Sequence, residues 1–335
     1  MRYDAPPDAC RFFPLALYFF AFASGDMTTS YKPLLHRYAV FVFLWTVLLF
    51  VFGALVTSNG AALSVPDWPK SFGTWFPSLK QLIQNPGSFF EHSHRVIAGV
   101  LGILLLGEAI LIWMMEPRRW LRWFAAIAVG GVVVQAVLGG EVVRKLLQYW
   151  LPELHACFGQ IMFAAILGMA VFTSKWWVSE RPMIADAGSP SVHSIAVVNA
   201  VVTFIQVFLG AGFRHQDMPI WPHMAGSLAV LGTTIWIAAV LRRRFDASSE
   251  LTFGRVLLHS VIGTQILLGG AAYWSRLTTA DAPHPMPVMI WLTVIHTVFG
   301  AITFGVSVFV ALLCYRTVSR DRAVTVTKGQ QAIAG

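Results

Sequence analysis

Charge is what this sequence has least of. Only 12% of its 335 residues are Asp, Glu, Lys or Arg, and the mean hydropathy is +0.65, too apolar for a soluble domain that must keep a polar surface. Cysteine is nearly missing. Cys10, Cys157 and Cys314 fall in the leading segment, inside the fourth apolar run and at the end of the eighth, so no external pair exists to form a structural disulfide. Dense basic tracts are also lacking, which argues against a nucleic-acid partner for the net charge of +8. Acids within the apolar runs are rare, Glu108 being the clearest.

Long apolar runs are what the chain does have. Stretches able to cross ~30 Å of hydrocarbon, which takes about 20 residues, occur near Arg37–Thr57, Phe89–Met114, Leu121–Gly140, Glu153–Ser174, Ser194–Phe213, Trp221–Leu241, Phe253–Tyr273 and Val288–Cys314. The expected fold is all-α: a polytopic membrane protein of eight transmembrane helices arranged as two pseudo-symmetric four-helix bundles. The expected boundaries are a leader or extension over 1–35, a first bundle over 36–175, a cytoplasmic linker over 176–193, a second bundle over 194–314 and a cytoplasmic tail over 315–335. The apolar stretch Phe12–Ala23 is too short to span and reads as a signal-peptide core or a piece upstream of the true start, with Met27 an alternative initiator. A cytoplasmic amino terminus puts 17 of the 24 Lys and Arg residues on that side and 7 on the other, so both termini are placed inside a cell inner or plasma membrane.

A short phrase recurs before the outer end of each odd run: QAVLGG ending at Gly140, QVFLGA ending at Ala211, QILLGG ending at Gly270, and more faintly LFVFGA ending at Ala54. Each is followed by a loop and then a histidine, giving a helix, a loop and a returning helix that carries His94, His155, His223 or His296. A lone intramembrane histidine is commonly a hydrogen-bonded core residue. Four in register suggest a shared use, because an unpartnered imidazole in a membrane is costly. Tetrahedral zinc would need all four to converge, whereas haem iron takes two imidazoles from opposite faces. Each half offers one such pair, His94 with His155 and His223 with His296. The glycines of the phrases, and Gly99, Gly159, Gly226 and Gly300 after the histidines, fit either close helix packing or a slot for a flat macrocycle. His92, two positions from His94, cannot share its face.

Polar residues at the outer mouth admit two uses. Ser88 and Glu91 fit a capping box, while Glu91, one turn before His94, could instead move protons beside a bound macrocycle. Arg95, Arg144, Arg214 and Arg276 fall one per unit and are either solvated anchors or partners for haem propionates. The turn Pro66-Asp67-Trp68-Pro69 is either a membrane-belt tryptophan or a cover for the first site.

With these residues in place, the chain resembles the haem A synthase family, membrane enzymes that convert haem O to haem A for terminal oxidases. The resemblance rests on Gly53–Gly60 (GALVTSNG) running into Pro66–Pro69, on Glu91-His-Ser-His94-Arg95 and on the later histidines, and it covers about His36 to Cys314. It implies a substrate haem O site at His94 and His155, a haem b at His223 and His296, oxidation of a ring methyl to a formyl group, and a requirement for Glu91. It also implies an electron donor and the neighbourhood of a haem O synthase, and leaves homo-oligomerisation open. Many members have cysteines flanking the Pro-Asp-Trp-Pro turn; Val65 and Ser71 stand there in this chain, so packing or hydrogen bonds must hold the loop. A dihaem b-type cytochrome that only relays electrons, and a transporter using Glu108, remain as alternatives.

Overall fold

The computed structural model describes residues 29–84, 86–148, 150–282 and 285–319; Cys10, the 12–23 stretch, Met27, His284, Arg320, Arg322 and Lys328 lie outside the described residues. Among those described, eight helices are long and apolar enough to span a membrane: α1 (Pro33–Ser58), α2 (Pro86–Met115), α3 (Arg119–Arg144), α4 (Trp150–Phe172), α5 (Val192–Arg214), α6 (Ile220–Phe245), α7 (Ser249–Thr278) and α8 (Pro287–Thr317). All eight expected spans are present, and most extend beyond their apolar cores. The extra turns carry polar caps suited to the headgroup zone: α7 begins at Ser249 instead of Phe253 because the Ser248 hydroxyl accepts from the Leu251 amide at 3.3 Å. Pro33 and Pro287 open α1 and α8, where a missing amide hydrogen goes unnoticed.

Helix faces sort by the usual three- and four-residue spacing. On α1, Leu35, Ala39, Val42 and Thr46 are buried while Leu34, Phe41, Leu44 and Leu48 are exposed, as lipid contact requires. Successive helices pair as α1/α2, α3/α4, α5/α6 and α7/α8; α1 also packs on α4, and α5 on α8. The halves meet where α8 crosses α1 and α4, and where α4 meets α5. Accordingly α8 and α4 are the most enclosed helices, and α3 and α7 the least.

The end away from the histidines is more ordered than a linker and a tail suggest. Ile184–Ala185 (β1) pairs in parallel with Val318–Ser319 (β2). Asp186 accepts from the Val192 amide at 2.7 Å and the Gly188 amide at 2.9 Å and faces Arg244 at 3.4 Å. Arg316 donates to the Trp177 carbonyl at 2.8 Å. Residues 315–319, expected as tail, therefore belong to the folded body, fixed by these polar contacts and by Val318, which is buried in the main core. His193, near the start of α5, is buried there against Tyr315 and bonds the Val318 carbonyl at 3.1 Å.

Candidate functional site

His94, His155, His223 and His296 all fall within the first ten residues of α2, α4, α6 and α8, at one end of the molecule. Each ring lies against the glycine of the phrase on the preceding helix. A Cβ added at Gly53, Gly139, Gly210 or Gly269 would stand 3.1, 2.9, 2.8 or 2.9 Å from the Cε1 of His94, His155, His223 or His296. These glycines are therefore not an empty slot; they let the imidazole press against backbone. Gly139→Ala should force the helix or ring to move, at about 1–3 kcal/mol, and reduce haem uptake by the purified protein. Gly270→Ala, where nothing lies within 4 Å, should leave uptake unchanged.

The ring orientation suits metal binding. Each imidazole lies near the main-chain carbonyl four residues before its glycine, of Leu49, Gln135, Gln206 and Gln265 respectively. At His94, His155 and His296 Nδ1 makes no hydrogen bond, while His223 Nδ1 stands 3.0 Å from the Gln206 side-chain nitrogen. Nε2 is the nitrogen that points further from the glycine.

The second set of glycines has a different partner. Gln135, Gln206 and Gln265 cross to the next helix and donate to the main-chain carbonyls of His155, His223 and His296 at 2.9, 2.8 and 3.1 Å. Gly159, Gly226 and Gly300 make room for those side chains, whereas Gly99 faces nothing within 4 Å. The glutamine was visible in the repeated phrase; its use was not.

The His223 and His296 rings are 6.2 Å apart between centroids with planes at 84°. Two metal–imidazole bonds of about 2.0 Å, plus ~1.1 Å from each nitrogen to its ring centre, give about 6 Å. The observed separation leaves room for one metal ion between the rings. His94 and His155 interact electrostatically without a ring contact of that kind among the described residues. No three His, Cys, Asp or Glu residues gather into a metal-holding group among the described residues, so the four histidines do not form a tetrahedral cage.

Glu91 is nearly fully buried, 4% exposed, and the capping-box reading is overturned. Helix α2 starts at Pro86, ahead of Ser88, and both side chains reach into the first loop instead. Ser88 Oγ donates to the Ser64 carbonyl at 3.0 Å, and Glu91 accepts from the Val65 amide at 2.9 Å and from Arg95 at 2.5 Å. Arg95 also donates to the carbonyls of Val65, Asp67 and Lys70 at 3.0, 2.6 and 2.8 Å. His92 faces the same loop, its Nδ1 2.9 Å from Ser71 Oγ. The loop is held by hydrogen bonds, with Val65 and Ser71 on either side of its Pro-Asp-Trp-Pro turn, and Arg95 is committed to it.

Asp67 closes the loop on itself, accepting from the amides of Phe72 at 2.7 Å and Gly73 at 2.8 Å. Partial burial would raise its pKa, but those amides and the Arg95 charge prevail and hold it below its unfolded value of 3.8. A lowered carboxylate pKa means that this contribution to stability is present above about pH 4 and fades as pH falls through the lowered value. At neutral pH, Asp67→Asn should quicken tryptic cleavage after Lys70 severalfold, measured against the intact protein. Beside this turn, the Trp68 indole covers Gly140, where an added Cβ would sit 2.6 Å from the ring, next to the glycine that faces His155.

The other arginines differ. Arg144 is half exposed, stacks over Trp68 at 5.2 Å and pairs with Glu141 at 3.2 Å. Arg214 joins the halves, donating to the Ala54 carbonyl at 3.0 Å and Ser58 Oγ at 2.9 Å. It also lies near Arg276 and His296, while Arg276 stacks over Phe213 at 5.0 Å. His215, at the end of α5, sits between the halves near Arg214 and His155; burial first, then those two neighbours, push its pKa down to about 4, so it is neutral at pH 7. Glu108 is fully enclosed on α2 beside Tyr38, both its oxygens unpartnered. It lies 14 residues beyond His94, about 21 Å along the helix.

The sequence is similar to those of known proteins. A haem A synthase of Bacillus pumilus is 24% identical over 297 residues, covering 81% of this chain and 92% of the relative. That of Bacillus licheniformis is 26% identical over 291 residues (79% and 90%), and that of Geobacillus kaustophilus 25% over 292 (79% and 86%). The chain also matches, over residues 36–332, the sequence profile described as cytochrome oxidase assembly protein, and it belongs to that family, COX15-CtaA.

Proposed function

We propose that this protein is a haem A synthase, a membrane oxidoreductase that takes haem O and oxidises a ring methyl to the formyl group of haem A for terminal oxidases. The observation that carries the reading is the 6.2 Å separation of the His223 and His296 rings, which suits one iron held by two imidazoles. In this reading His223 and His296 hold a resident haem b, and His94 and His155 hold the haem O substrate. Iron porphyrin supplies the redox chemistry once bound.

The protein's own groups do the rest. Arg214 and Arg276, near the second pair, are placed for propionates, and Arg144 plays that part beside the first pair. Trp68 and the Glu91–Arg95 clasp close the first loop over the substrate pair and keep water from it. Glu91, between that loop and His94, is a buried carboxylate that can hold or release a proton near the reacting ring. The excess of Lys and Arg at the other end sets the termini in the cytoplasm and the haem pairs toward the outer face. A separate electron donor, and a haem O synthase to supply substrate, are the partners this reading calls for.

Expressing the chain in cells that make haem O, and analysing the extracted haems, tests the proposal. Haem A should appear. Haem O accumulating without an oxidised product would overturn it.

A further inference from the structure

Three histidines are tethered by glutamine and the fourth is not. In the first unit Leu49 takes the place of Gln135, Gln206 and Gln265, and Ile97 and Ala98 stand three and four residues after His94, where the other units carry Gly226, or Gly159 and Gly300, beside the amide. Both halves of the tether are therefore missing at His94. The α1–α2 seam is tied one turn deeper instead, where Trp45 Nε1 donates to the Ile97 carbonyl at 3.0 Å. At the level of His94 itself, its helical neighbours Glu91 and Arg95 are bonded to the first loop and not to a facing helix. The contact of His94 with its glycine is also the loosest of the four, 3.1 Å against 2.8–2.9 Å.

We infer that Gln135, Gln206 and Gln265 are positioning residues that tie the helical turns of three axial histidines to the facing helix, and that His94, whose turn lacks such a tie, is the exchangeable ligand. The inference rests on the proposed haem sites and adds to them a reason for their different behaviour. A resident group is gripped by two histidines with tethered main chains, His223 and His296. A substrate that must enter and leave is gripped by one such histidine, His155, and one that can swing away when the loop opens. The loop clasp and the ligand are then coupled, because Glu91 and Arg95 flank His94 on the same helical turn.

Carbon monoxide reports this directly, since it binds ferrous haem only where an axial imidazole lets go. With full-length protein loaded with iron protoporphyrin IX and reduced, binding should be biphasic, with a fast phase from the first pair. Leu49→Gln with Ala98→Gly, which installs the tether, should slow that phase about tenfold. Gln265→Leu should do the reverse and speed carbon monoxide binding at the second pair by a similar factor; it also serves if the double variant does not accumulate. Equal rates at the two pairs, or rates unmoved by these substitutions in protein with an unchanged low-spin spectrum, would overturn the inference while leaving the haem sites standing. Failure to take up porphyrin at all would remove the haem sites and the inference together.

Discussion

Glu91→Gln should cut turnover by about 100-fold or more while the haem absorbance of the second pair is retained. Glutamine keeps the shape and can still accept from the Val65 amide, so the loop is not expelled. What changes is charge. The Arg95 guanidinium, 14% exposed, loses its counter-ion, and removing one partner of a buried pair costs about 3–5 kcal/mol when nothing replaces it; here three loop carbonyls soften the loss. The proton-handling group beside the substrate is removed at the same time, and such groups contribute roughly 100- to 10,000-fold. His223 and His296 lie on other helices and should keep their spectrum. An electron-relay cytochrome would retain its function in this variant, so product formation measured beside the spectrum separates the two readings. Normal turnover would reduce Glu91 to a loop clasp.

His296→Ala, and equally His223→Ala, should cost the protein its resident haem. Substituting a residue that merely orients a metal ligand lowers affinity about 10- to 100-fold, and removing the ligand should exceed that. The space left against Gly269 is shaped for an imidazole ring and nothing else, so added imidazole should restore part of the low-spin absorbance. Haem that binds the folded state stabilises it by mass action, and the variant should accordingly melt earlier, with imidazole recovering some of the difference. His94→Ala should behave differently, sparing the resident spectrum and abolishing turnover. Identical haem content in wild type and His296→Ala would show that this histidine is not a ligand.

The eight helices and the shared depth of the four histidines were legible in the sequence because both are periodic, and period survives without knowledge of partners. The first loop was not. Ser88 and Glu91 have the spacing of a capping box, and only the start of α2 at Pro86 reveals that the same side chains reach outward to Ser64 and Val65. The glycines were ambiguous for a related reason: a missing side chain says that something comes close, not what. Gly139 proved to face an imidazole and Gly140 a tryptophan from a loop more than 70 residues earlier. His215 carries no motif, yet the hairpin between α5 and α6 brings it beside His155. The ordering of 176–193 and 315–319 rests on polar contacts at Asp186 and Arg316, which composition does not distinguish from solvated charge, together with the burial of Trp177, Val192 and Val318.

The central claim is that paired imidazoles from adjacent helical hairpins hold iron porphyrin at one end of the bundle. The visible absorption spectrum of the purified, reduced protein, taken with its haem-to-protein ratio, tests it most directly. A low-spin, bis-imidazole b-type spectrum from at least one haem per chain is the predicted result. A colourless protein, or haem bound only in a five-coordinate form, would contradict it.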